Sequence, residues 1–305
     1  MAEFHITLPT RGDRHRGDWH PDSHRPFHAS VTDPRATGSF DHLAQVGRAA
    51  ELAAFTGAVA PFDPEGEESL VVAAALLRQT RWLRLRAEFH PGIATPVYAA
   101  KISASLQRFS GDRLDWGLAV DLDPAVARAQ GDFHEGADRY ARAAEFLTVA
   151  KGVWREPGYT YRGRFYEVLA GGFDAPLAGR DFPRVHLSGT SPAALELSAL
   201  HGDVHVFERG DDLEAGIAAL PGLAYAIRLP VLAREDDEEA WADAARLGGF
   251  TGLVGSYEQV AEEIRAYAGR GVTIFQLDAS PYIEETYRLG EHLLPLLAKE
   301  GAHVR

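Results

Sequence analysis

The stretch LRLRAEFHPGIATPVYAAKISASLQRFSGDRLDWGLAV, residues 83–120, decides the fold. Its opening, Leu83 to Phe89, reads as a strand in which Arg84 and Arg86 alternate with apolar neighbours. His90-Pro91-Gly92 ends that run. The pattern then becomes a helix from about Thr95 to Phe109, with Pro96 in the first turn, where a missing N–H is tolerated. Leu114 to Val120 returns to a strand. A strand, a helix and a second strand in close succession imply a right-handed crossover between parallel strands.

The same alternation continues outward in both directions. Further strands are expected at Phe4 to Pro9, Ala58 to Ala60, Val185 to Leu187, Val204 to Phe207, Tyr225 to Ala233 and Thr273 to Leu277. Helices are expected at Asp41 to Phe55, Glu67 to Thr80, Asp138 to Trp154, Pro192 to His201, around Leu213 to Ala219, and at Asp237 to Leu247 and Tyr257 to Ala268, and Ile283 to Leu297 closes the chain. Two segments interrupt the series. Residues 10–38 carry Arg, His, Asp, Pro and Gly without a hydrophobic period and read as a long loop, a length usually reserved for function or mobility. Residues 159–168, YTYRGRFYEV, have two aromatic arms around Arg162-Gly163 and read as an inserted β-hairpin. Eight strand–helix units with no dividing linker favour a closed (β/α)8 TIM barrel over an open sheet, as one domain spanning residues 1–305.

Composition excludes several functions. The 305 residues include no Cys, so disulfides, cysteine-ligated zinc, iron–sulfur clusters and thiol nucleophiles are ruled out. A formal charge of −13 opposes phosphate backbones, so no nucleic acid is expected as a partner. Only Lys101, Lys151 and Lys299 are lysines, which leaves few candidates for Schiff-base chemistry. The start, MAEFHITLPT, lacks a signal-peptide pattern, and no apolar run approaches 18 residues. A soluble, cytoplasmic protein without membrane association is expected.

Seven blocks, in order along nearly the whole chain, resemble the bacterial luciferase-like flavin monooxygenases, and within them the alkanesulfonate monooxygenase branch. They are FHITLPTRGD (4–13), residues 90–118, RYARAAEFL (139–147), YTYRGRFYEV (159–168), LSGTSPAALELSALHGDVHV (187–206), AIRLPVLARE (226–235) and residues 253–297. The resemblance implies a barrel that binds reduced FMN as a dissociable co-substrate at the C-terminal ends of its strands. It also implies electrons from a separate flavin reductase and oxygenation of a small organic substrate. Homo-oligomers, dimers or tetramers, are implied through the early helices, for which apolar Ser69 to Leu77 is the candidate; helix-on-barrel packing explains that stretch equally well.

Candidate site residues follow. Gly189, Thr190 and Ser191 stand between a strand and a helix, where backbone amides meet a phosphate, although Thr190 or Ser191 before Pro192 would also serve as an ordinary N-cap. Tyr140 matches a family tyrosine near the flavin phosphate; on residues alone it is a core-edge aromatic. His90 ends a strand at the active-site face, or simply a turn before Pro91. Arg228, inside an apolar strand, must be paired or face a ligand; it matches the family arginine near the substrate anion. Arg11 replaces the histidine of the family's His-Gly-Asp and, with Arg228, is the candidate catalytic pair.

Other family positions are also changed. Gly66 stands for a cysteine, Ala119-Val120 for Thr-Gly, Gly136 for a histidine, Glu208 for a tryptophan, Pro230 for a histidine and Ser280 for a tyrosine. The mobile lid implied before the last strand is missing, because Leu247 runs through Gly248-Gly249-Phe250 almost directly into Leu253. Two further readings therefore stay open: a non-catalytic flavin-binding or partner subunit, and a deazaflavin-dependent hydride-transfer enzyme. His15, His20, His24 and His28 with Asp13, Asp18 and Asp22 suggest a metal cluster, but Arg14, Arg16 and Arg25 among them would repel a cation. A solvated loop is preferred and no metal is assigned.

Overall fold

Each strand–helix unit hides one apolar strand face under its helix, and eight such units leave the opposite faces to enclose a common interior. The computed structural model describes residues 2–11, 39–248 and 250–298. In chain order the elements are β1 (Glu3–Thr7), α1 (Ser39–Leu52), β2 (Gly57–Ala60), α2 (Ser69–Gln79), β3 (Arg84–Phe89), α3 (Pro96–Ser110), β4 (Leu114–Leu118), α4 (Pro124–Ala129) and α5 (Ala137–Arg155). Then come β5 (Tyr159–Arg162), β6 (Glu167–Gly171), β7 (Arg184–Ser188), α6 (Pro192–His201), β8 (Val204–Glu208), α7 (Leu213–Ala219) and β9 (Ala224–Arg234). The chain continues through α8 (Asp237–Arg246), β10 (Leu253–Ser256), α9 (Tyr257–Gly269), β11 (Ile274–Asp278), α10 (Tyr282–Arg288), a π-helical turn (Leu289–Leu293) and α11 (Leu294–Ala298). Strands β1, β2, β3, β4, β7, β8, β9 and β11 pair in that order, all parallel, and β11 returns to β1 to close the barrel.

Side chains alternate across each strand. Trp116 of β4 points outward: its Nε1 donates to Ser103 Oγ of α3 at 2.8 Å, and its ring lies 5.1 Å from Phe89 and 4.9 Å from Phe182. Asp115, next to it, points inward and is fully buried. It accepts from Arg84 Nη2 at 2.5 Å and Arg184 Nη2 at 2.8 Å, while Arg184 also donates to both Glu3 oxygens at 2.9 Å. These four residues, from β1, β3, β4 and β7, plug the N-terminal end of the barrel with ion pairs. On the far wall Val204, Val206, Ala226 and Ile274 form a small apolar cluster separate from the main core.

The eight strands expected from sequence form the barrel, and the inserted hairpin is present as antiparallel β5 and β6. Glu145 of α5 holds it by accepting the backbone N–H groups of Arg164 (2.9 Å), Phe165 (2.9 Å) and Tyr166 (3.2 Å). Two elements were not expected. One is α4, which Asp123 caps by accepting Ala125 N–H at 2.8 Å. The other is β10, which lies in the short α8–α9 connection and pairs with Val231–Arg234, the part of β9 that runs on past its barrel partners. The closing segment is helical throughout, α10, the π-helical turn and α11 following one another without a gap. The apolar face of α2 (Leu70, Val72, Ala73, Leu76, Leu77) is buried within this chain. The loop expected at 10–38, apart from Thr10 and Arg11, lies outside the described residues, and the His/Asp constellation lies there with it. Among the described residues no helix is long and apolar enough to cross a membrane.

Asp115 carries the clearest prediction for stability. Asp115→Ala strands two guanidinium groups in the closed end of the barrel, and urea denaturation should report a loss of about 3–5 kcal/mol. A loss below about 1 kcal/mol would mean that water already satisfies Arg84 and Arg184.

Candidate active site at the mouth of the barrel

Above the ionic plug the interior stays polar. Arg86 of β3 is fully buried and donates to Glu88 Oε1 at 2.8 Å, to Gln276 Oε1 of β11, and to His186 Nδ1 of β7 at 3.2 Å. Gln276 Nε2 in turn donates to Thr7 Oγ1 at 3.0 Å. Because Arg86 has only donors, His186 Nδ1 must be an acceptor without a hydrogen. Burial accounts for most of the lowering of His186 to about 4, with Arg86 repulsion assisting and Asp115 opposing.

Arg228 projects from the middle of β9 into the next tier. Its Nη1 lies 3.3 Å from Glu208 Oε1 of β8, and its Nη2 lies 3.6 Å from Glu88 Oε2, across the barrel on β3. The guanidinium is therefore paired, yet 36% of the side chain remains exposed to the mouth. Asp278 of β11 adds a third carboxylate; burial pushes it up and Arg228 pulls it down. Burial likewise raises Glu208. Room for Glu88 comes from Gly117 on the neighbouring strand, where a Cβ would sit 2.6 Å from Glu88 Cγ.

The rim after β7 is a tight turn. Gly189 has φ 107°, a conformation other residues rarely adopt, and a Cβ there would lie 2.9 Å from Ala194 Cβ. Ser191 caps α6 by accepting Ala194 N–H at 3.2 Å, and its hydroxyl donates to Tyr140 Oη at 3.4 Å. Thr190 is exposed between them. The Gly189 backbone, the Ser191 hydroxyl, the Tyr140 phenol and a helix N-terminus thus lie together, with exposed Thr190 between Gly189 and Ser191, and this donor set suits a phosphate.

Two other expected residues sit elsewhere on the rim. His90 is 1% exposed, with Nδ1 2.9 Å from Ala119 O and Nε2 2.9 Å from Asp132 Oδ2. Arg142 Nη2 donates to the same Asp132 oxygen at 2.7 Å, and His134 Nδ1 lies 2.8 Å from Oδ1. His90 thus pins the loop after β4 to the end of β3. Arg11 pairs with Asp63 and, at 2.8 Å, with Glu65 in the loop after β2. The structure brings Gly189, Thr190, Ser191 and Tyr140 together, places Arg228 on the floor, and engages His90 and Arg11 in the framework of the rim. Sequence reading missed Glu88, Asp278, Asp132 and Arg142. Glu88 and Asp278 did leave a signal: each continues, at a spacing of two, the inward polar series Arg84–Arg86 and Gln276.

A closed barrel of eight parallel strands with helices between them defines a (β/α)8 protein. Residues 23–250 match the model of the luciferase-like monooxygenases, and the chain belongs to that family. Among solved structures it resembles a riboflavin lyase determined with modified FMN and riboflavin (16% identity, TM-score 0.79, covering 100% of this chain and 93% of that one). It also resembles EDTA monooxygenase from Chelativorans sp. BNC1 (16%, 0.79, 99% and 95%). A third is the coenzyme F420-dependent tetrahydromethanopterin reductase from Methanopyrus kandleri (13%, 0.73, 96% and 99%). At such identities these likenesses speak for the fold.

His186 makes stability depend on pH. Its folded value, about 4, lies below the usual 6.5, so as pH falls the unfolded chain takes up the proton first. Its contribution is complete above pH 6.5 and declines as pH falls toward about 4, by about 1–3 kcal/mol for this residue. Denaturation at stepped pH values should show that slope, to which His5, His201 and His205, also lowered by burial, add, and His186→Gln should reduce it by its own share.

Proposed function

We propose that this protein is a reduced-flavin-dependent monooxygenase acting on a small organic substrate at the mouth of the barrel, supplied with FMN by a separate reductase. The observation that carries the reading is the cradle formed by Gly189, Thr190, Ser191 and Tyr140 at the start of α6. When bound, reduced flavin supplies the two electrons by which one atom of dioxygen enters the substrate and the other leaves as water. The chain's own contribution is positioning. Gly189 and Ser191 present the helix end to the phosphate, Thr190 adds a free hydroxyl, and Tyr140 closes the far side. His90 acts from behind the wall by fixing the loop over β4, and Arg11 frames the mouth through Asp63 and Glu65. Arg228, held between Glu88 and Glu208, orients the substrate from below. Association with a second copy through the early helices belongs to the same proposal.

A deazaflavin-dependent hydride transfer is the second reading. The short α8–α9 connection favours it, because hydride transfer makes less demand on a water-excluding lid. Fold neighbours of this kind include the reductase above and a secondary alcohol dehydrogenase bound to an F420–acetone adduct.

Anaerobic titration with reduced FMN, followed by tryptophan fluorescence, tests the proposal, with the deazaflavin titrated in parallel. Saturable quenching by FMN is expected, and Ser191→Ala or Gly189→Ala should weaken it about tenfold or more through lost phosphate contacts. Quenching by the deazaflavin alone would favour the second reading. Quenching by neither would sink both, leaving a flavin-free member of the fold.

A further inference from the structure

We infer that the floor of the mouth selects a substrate bearing a protonated amine or similar cation, a refinement that rests on the mouth being the substrate site. The resemblance implies an anion beside Arg228, but the surroundings of this arginine oppose one. Its two terminal nitrogens already face Glu208 at 3.3 Å and Glu88 at 3.6 Å, and Asp278 bears on it from β11. The second cation of this tier, Arg86, is turned to Glu88, Gln276 and His186. Three carboxylates thus stand against two guanidinium groups, and Asp211 in the loop after β8, which accepts Glu208 N–H at 2.7 Å, adds a fourth acid nearby.

Asp278 provides the independent observation. It lies deep in the mouth, on the inward side of β11 two residues beyond Gln276, and makes no hydrogen bond or ion pair within 4 Å to any described residue. A sunken carboxylate without a partner is unfavourable until a donor or cation reaches it. An ammonium group entering the mouth would be attracted by both Asp278 and Glu208, whereas a sulfonate or carboxylate would be repelled by both. Burial raises both acids, as expected for negative charges awaiting compensation.

Three probes of equal chain length isolate the head group: hexylammonium chloride, hexanol and sodium hexanesulfonate, each titrated calorimetrically into the full chain without flavin. Hexylammonium should bind at least about tenfold more tightly than hexanesulfonate, about 1.4 kcal/mol, with hexanol between them. Glu208→Gln and Asp278→Asn should each reduce that preference, and the double variant should abolish it. A preference for the sulfonate, equal binding of all three, no binding at millimolar concentration, or a preference that survives the double substitution in a folded protein would each overturn the inference. The wild-type comparison decides by itself if the variants fail to fold. Because flavin is absent, a cation preference with no FMN binding would refute the proposed reaction and leave the cation site standing; the converse result would do the reverse.

Discussion

Asp115 governs this barrel because two arginines from two other strands depend on it. An interior lined with branched apolar residues tolerates small shifts, but ion pairs taken out of water do not. Arg184 must reach Glu3 on β1 and Asp115 on β4 at once, and Arg84 must reach Asp115 from β3. A slip of one residue in any of these strands would turn a charge outward into the helix layer and an apolar side chain inward. The plug is therefore better understood as a register lock than as a source of net stability. Everything above it inherits that register: Arg86 meets Gln276 and His186, Glu88 crosses Gly117, and Arg228 comes to lie between Glu88 and Glu208.

Most of the barrel was legible in the sequence for a simple reason. Each barrel strand puts apolar residues toward its helix, and that outer face shows up as a short hydrophobic run between helical periods. Strand β10 left no such trace. It has only four residues and exists because β9 runs on far enough to pair with it, which is a tertiary fact. The capped start of α4, by contrast, was there to be read in Asp123-Pro124. In the site, Arg228 and the Gly189–Ser191 turn stood out because a charge inside a strand and a glycine before a helix are local signals. The partners of Arg228 did not. Glu88 reaches it only because the sheet closes, since β3 and β9 are not neighbours. The Asp132–Arg142–His90 group joins a loop, a helix and a strand end that share no periodicity.

The resemblance implied a lid where this chain has a short connection, and the structure shows how that side of the mouth is built instead. The extension of β9 carries Arg234, which is buried and donates to Asp243 of α8 at 2.7 Å and to Glu285 of α10 at 3.1 Å. One arginine thus ties the strand beyond the barrel to the helices on either side, and β10 covers its edge. The wall is framed by paired backbone and a buried ion triad, an arrangement suited to a fixed entrance rather than a closing flap.

Stability and site chemistry share residues here to an unusual extent. Arg86 belongs to the structural ladder through His186 and Gln276, and to the mouth through Glu88. Glu88 faces both ways, with one oxygen toward Arg86 and the other toward Arg228. The charge at the floor of the mouth is therefore set partly by groups that lie beneath it. Replacing the ladder with apolar residues would release the structural ion pairs from their desolvation, but it would also remove the cation that offsets Glu88 and leave the mouth more acidic. The polar interior persists on this account because the tier that locks the strands also sets the electrostatic potential of the tier that faces the mouth.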